Sequence, residues 1–169
     1  MKYRSINELD CFEFHDAIIK ELSIVNNNMM WLASSINAMT TNSQNTNIKD
    51  MCVKEAVMMF ENMQIDSIVF NSWKSYDSQN NLIESVAAVT AKPEEYEDII
   101  KKSFKRCCYI QSMEEINKQN EGNYKSCFLL DSIAGMFYFT FSFSKSIVEW
   151  NEFSGEAWYE HPKWNKWRK

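Results

Sequence analysis

Hydrophobic and polar positions alternate with a period of two along most of this chain, the signature of strands with one buried and one wet face. The pattern is clearest from Met136 to Ser144, where Phe137, Phe139, Phe141 and Phe143 share one face and Tyr138, Thr140, Ser142 and Ser144 the other. Ile147, Val148 and Trp150 fall out of that phase, which predicts a bulge or bend between Ser144 and Ser146. The pairing partner is Lys125 to Leu130, joined through Ser132-Ile133-Ala134-Gly135, a connection short enough for a hairpin. Upstream, Ala17 to Val25 and Met29 to Thr40 flank Asn26-Asn27-Asn28. Asparagine tolerates left-handed backbone, so a second hairpin is predicted there. Thr41 to Asn47 contains no apolar residue and is predicted as a solvated loop. Cys52 to Phe60 and Ile65 to Trp73 follow as two further strands; the first also carries Val53, Val57 and Phe60 at helical spacing, and its strand reading rests on the hairpin-like distance to Ile65.

One helix is well signalled. Pro93 presets a first turn, Glu94, Glu95, Glu97 and Asp98 crowd the end where the helix dipole favours anions, and Lys101, Lys102 and Lys105 occupy the other end. Tyr96, Ile99, Ile100 and Phe104 form its apolar stripe. Arg106 to Gln111 then reads as a strand, and Ser112 to Asn123 as a charged stretch containing a helical turn. Seven to eight strands with one short helix near 93–104 predict an α+β fold, predominantly antiparallel, built as a curved sheet or a small sandwich. With no repeat and no linker, 1–169 is expected to be a single domain.

Charge removes some classes of partner. The net charge is −5 and the mean hydropathy −0.44, so no global positive field exists to hold nucleic acid or an anionic membrane. The N-terminal ten residues lack an apolar run and carry acids, and no stretch reaches the length of a membrane span. Cys11, Cys52, Cys107, Cys108 and Cys127 include no C-x-x-C, and His15 and His161 have no second ligand at useful spacing, so no metal site is expected. With 3 Gly in the chain there is no phosphate-cradling loop, and no cofactor is expected. Thiols used as small buried hydrophobes fit a reducing, cytoplasmic compartment.

Candidate chemistry is sparse. His15 beside Asp16 supplies the groups of an acid–base pair, since a carboxylate can hold an imidazole near neutrality. Adjacent side chains seldom face each other, and the competing reading makes His15 a hydrogen-bonded residue at the start of the first long strand, with Asp16 capping a turn. Phe14-His15-Asp16, followed by an apolar strand, an asparagine turn and a second strand, resembles the opening of small bacterial proteins of uncharacterised function. Some of those are similar to immunity proteins encoded beside polymorphic toxins. The resemblance spans Phe12 to Ala38 and implies a cytoplasmic binder that is not an enzyme.

The C-terminal twenty residues hold four of the 6 tryptophans, and the last seven hold four basic groups. Trp158, Tyr159, His161, Trp164 and Trp167 either fold back over the core or present an aromatic and basic surface to a protein partner. The hydroxyl row Tyr138, Thr140, Ser142 and Ser144 could line a groove, though any wet strand face would show it. Met29-Met30 and Met58-Met59 fit core filling or an adaptable surface. The leading expectation is a non-enzymatic protein-binding module, with an immunity-type inhibitor as its specific form. The alternatives are a small-ligand binder or hydrolase using His15 and Asp16, and a homodimer sealed by the aromatic tail.

Overall fold

A computed structural model describes residues 1–120 and 122–155. Its strands are β1 (Tyr3–Ile6), β2 (Phe12–Glu13), β3 (Ala17–Val25), β4 (Asn28–Ser34), β5 (Ile36–Ala38), β6 (Met51–Val53), β7 (Ala56–Glu61) and β8 (Gln64–Phe70). They continue as β9 (Trp73–Tyr76), β10 (Leu82–Val86), β11 (Val89–Thr90), β12 (Cys108–Asn120), β13 (Asn123–Ser132), β14 (Gly135–Phe143) and β15 (Lys145–Trp150). A 3-10 turn, Pro93–Glu95, leads into the helix α1 (Tyr96–Ser103). The fold is α+β and mostly antiparallel, as the period-two pattern predicts. Strands outnumber the expected seven to eight because bends divide the longer apolar runs. Met29 to Thr40 breaks at Ser35, whose φ of 61° turns β5 into a separate three-stranded sheet with β2 and β6. Cys52 to Phe60 divides likewise into β6 and β7.

Ten strands form one sheet in the order β1-β15-β7-β4-β3-β12-β13-β14-β8-β11. β7 and β8 lie third and ninth in that order, yet only Asn62 and Met63 connect them; β14 and β15 lie eighth and second, separated by Ser144 alone. Such short links between distant strands force the sheet to curl upon itself. Ser144 N–H donates to the Glu61 carbonyl at 2.9 Å and its hydroxyl accepts from Asn62 Nδ2 at 2.9 Å, which fastens the two corners together. The bend expected near Ser144 is therefore a change of partners, from β13 and β8 to β7 and β1.

The core lies inside the curl. Phe137, Phe139, Phe141 and Phe143 are all buried, and Phe60 of β7 meets Phe141 of β14 edge to face at a centroid distance of 5.0 Å. Trp31 fills the centre, 5.0 Å from Phe128 and 5.2 Å from Phe60. Burying each such ring contributes ~1.5–3 kcal/mol. The methionine pairs divide as alternation requires: Met29 and Met58 are buried, whereas Met30 lies on the outside. α1 packs Ile100 into the core and sets Tyr96, Ile99 and Phe104 against it.

Two sequence expectations are corrected. Ser112 to Asn120 holds no helical turn; β12 continues through it, paired with β13, because three register shifts absorb the positions where alternation fails. The polar stretch 41–47 is not simply solvated. Asn42 is 2% and Asn45 6% exposed, and the Asn45 amide donates to the carbonyls of Ala38, Met39 and Lys49 at 2.9, 3.2 and 3.0 Å. Asn42 donates to Ser5 Oγ at 3.0 Å, and Ser5 Oγ donates to Glu8 Oε2 at 2.6 Å. Side-chain amides here satisfy backbone groups that a loop without ladder partners leaves open.

Candidate functional site

Tyr138, Thr140 and Ser142 keep a wet face opposite the phenylalanine row, and neighbouring strands occupy their hydroxyls. Thr140 Oγ1 donates to Cys127 Sγ at 3.3 Å and Ser142 Oγ donates to Asp66 Oδ2 at 2.7 Å. The Glu114 charge beside Tyr138 pushes its phenol above the ordinary range. This row is a cross-strand network.

His15 and Asp16 do meet, against the expectation for adjacent residues. Asp16 has a φ of 63°, and this left-handed turn brings its Oδ2 to 3.6 Å from His15 Nε2. The carboxylate therefore faces the ring, and the turn is held by the Asp16 N–H, which donates to the Ile110 carbonyl at 3.0 Å. His15 Nδ1–H donates to the Gln111 carbonyl at 2.9 Å. That bond, with the Asp16 charge second, raises the imidazole pKa. The side chains are 62% and 69% exposed, and among the described residues no serine, threonine or cysteine bonds to the ring. Burial raises the pKa of the Cys11 and Cys52 thiols and pushes Cys108 up to about 12, which disfavours thiolate at all three. The arrangement can carry a proton on an open surface. Among the described residues neither an enclosure nor an activated nucleophile, as hydrolysis needs, accompanies it. No three His, Cys, Asp or Glu side chains are grouped as metal ligands among the described residues. Trp158, Tyr159, His161, Trp164 and Trp167 lie outside the described residues.

The most distinctive surface is one that periodicity left unremarked. β8 pairs with β11 through Val69↔Thr90 and Phe70↔Val89, and β9 pairs with β10 through Trp73↔Val86, Lys74↔Ser85 and Ser75↔Glu84. Both pairings keep the same register across the unpaired residues 71–72 and 87–88, so the second hairpin prolongs the line of the first, until a bulge at Ile83 shifts the register before Tyr76↔Leu82. The near half of this two-stranded ribbon belongs to the sheet, where β14 lies beside β8 as far as Phe70. Beyond Asn71, whose N–H donates to the Met136 carbonyl at 3.0 Å, the ribbon leaves the sheet as an arm.

The arm has a defined tip. Asp77 accepts from the backbone N–H groups of Gln79 and Asn81 at 2.9 and 2.8 Å and from Asn81 Nδ2 at 2.9 Å, and Asn80 takes a φ of 65°. Those Asn81 bonds, aided by the Gln79 N–H, hold the Asp77 carboxyl below its ordinary pKa. The arm's apolar side chains are nevertheless open: Trp73 is 48%, Tyr76 51%, Leu82 56% and Ile83 66% exposed, with Val89 at its root 54% exposed. Tyr76 and its partner Leu82 share one face of the ribbon and Trp73 the other. A free two-stranded ribbon has no core of its own, and apolar side chains left open on it mark a contact surface. A turn of Asp, Ser, Gln and Asn between Trp73–Tyr76 and Leu82–Val86 is the sequence signal that could have found it.

Near the other end of β8, α1 leaves a groove of about 630 Å³ against β3, lined by Leu22, Ile24, Ile65, Tyr96, Ile100 and Phe104. Glu97 and Lys101, paired at 2.6 Å, stand at its rim. No helix among the described residues is long and apolar enough to cross a membrane. Comparisons of the chain with protein-family models, with curated proteins and with solved structures found no match.

Proposed function

We propose that this chain is a non-enzymatic protein-binding module whose contact element is the projecting ribbon. One observation carries the reading: the arm holds Trp73, Tyr76, Leu82 and Ile83 between 48% and 66% exposed on a hairpin whose tip is fixed by its own hydrogen bonds. Large aromatic and aliphatic side chains preorganised in this way form binding hot spots at low entropic cost. The open His15–Asp16 pair offers a hydrolase no comparable support. A cytoplasmic setting accords with five cysteines that are all free thiols. In the immunity-type form, which the Phe14-His15-Asp16 resemblance implies, the bound protein is a toxin encoded by an adjacent gene.

The test is photo-cross-linking in the cells that make the protein, with the reactive residue placed at Leu82 and, as a control, at the exposed Lys54 between β6 and β7. Protein adducts from position 82 and none from position 54 are expected. A correctly folded chain that forms no adduct through position 82 overturns the reading.

A further inference from the structure

Resting on the binding reading above, we infer that the partner at this surface is a second copy of the chain, each copy seating its arm in the groove between α1 and β3 of the other. The ribbon's own geometry leads there. Ile65, at the groove, lies five residues before Phe70, and Tyr76, near the arm's tip, lies six after it. At about 3.3 Å per residue these stand roughly 17 and 20 Å to either side. A two-fold axis beside Phe70 and Val89 lays two ribbons antiparallel and brings each tip to the partner's groove mouth. β11, which carries Val89, is the terminal strand of the ten-stranded sheet, so its outer edge faces this axis without a strand in the way.

Area and symmetry agree with that arrangement. Trp73 points to the opposite face of the ribbon from Tyr76 and Leu82, so the arm offers Tyr76, Leu82, the neighbouring Ile83 and Val89, which at about half exposure present roughly 400 Å² per copy. With the groove lining of the same copy each partner contributes roughly 500 Å², about the 1,000 Å² in total at which a specific interface begins. The convex arm and the concave groove both belong to every copy, and their reciprocal exchange closes at two subunits. A non-reciprocal version of the same contact would build open chains, and the two-fold form avoids this.

Sedimentation of the purified full-length chain across a concentration series tests the inference. A species of twice the 20.0 kDa chain mass is expected. Tyr76→Ser with Leu82→Ser on the arm, and separately Ile24→Arg in the groove, should each weaken dimerisation by ~30-fold or more. An equimolar mixture of the two variants should recover part of the association, because one intact arm then meets one intact groove. Cross-links from position 82 should map to residues 22–24 or 96–104 of another copy. A wild-type monomer at all concentrations, a dimer indifferent to both variants, or a mixture no better than either alone overturns the inference. Adducts only to a different protein overturn it while leaving the binding reading in place, and a complete absence of adducts removes both.

Discussion

The loop from Thr40 to Asp50 and the arm from Trp73 to Val86 reverse the usual relation between polarity and burial. The loop has no apolar residue from Thr41 to Asn47, yet it sinks Asn42 and Asn45 almost completely; the arm is rich in large apolar side chains, yet leaves them in water. In the loop, side-chain amides replace missing ladder partners, so desolvation is compensated bond by bond. In the arm, the two strands pair with each other apart from a bulge at Ile83, and side-chain contact is missing because no strand continues beside them. Burial thus follows the availability of partners and not the hydropathy of the segment.

Asn45→Ala breaks the loop side of this comparison and should have the largest effect. It strips donors from three carbonyls, and leaving such groups unsatisfied costs on the order of 1–3 kcal/mol each when they stay dry. With some water entering, a total of about 3 kcal/mol is expected, or roughly 6–12 °C in Tm for a chain of this size. Thermal unfolding measures it directly. A shift under 2 °C would show that the Asn45 bonds are readily replaced by water.

Asp77→Ala probes the arm side and should act locally. Losing the acceptor of three hydrogen bonds loosens the tip, so amide exchange in residues 73–86 should rise by about tenfold. At a protein concentration low enough to keep the chain monomeric, the Tm should stay within about 2 °C, since the arm buries little of its own surface. A global loss of stability comparable to that of Asn45→Ala would mean that the arm is part of the core's cooperative unit and not an appendage to it.

The same contrast explains what was legible in the sequence. Phe137 to Phe143 announced a core face, and Asn26-Asn27 announced a hairpin, because alternation and left-handed asparagines are local signals; both asparagines take positive φ. The curl was hidden because it depends on Asn62-Met63 and Ser144 joining strands that never pair with each other. Ser112 to Asn120 was misread because bulges interrupt its alternation. For the arm, the turn at Asp77 to Asn81 was visible, but the absence of a neighbouring strand is a property of the whole sheet. At His15 and Asp16 the residue types were plain, whereas their meeting depended on the positive φ of Asp16.

That exposed pair supplies the smallest effect and a third case, a polar contact with neither the loop's burial nor the arm's apolar area. The His15 pKa is raised above its ordinary value of 6.5, first by the Gln111 carbonyl and then by Asp16. A raised folded-state pKa means that protonation favours the folded chain: the contribution is fully present below the unfolded value and is lost as pH rises through the folded one. The wild-type chain should therefore exceed His15→Gln in stability slightly more at pH 5.5 than at pH 8.5, with the difference kept small because water screens the site. An NMR titration of His15 separates the two causes. Asp16→Asn, or high salt, should lower the midpoint only in part, because the Gln111 carbonyl still accepts from Nδ1–H and its bond is the larger influence. A midpoint that falls fully to 6.5 in Asp16→Asn would show that charge alone holds the proton and that the strand contact contributes nothing in solution.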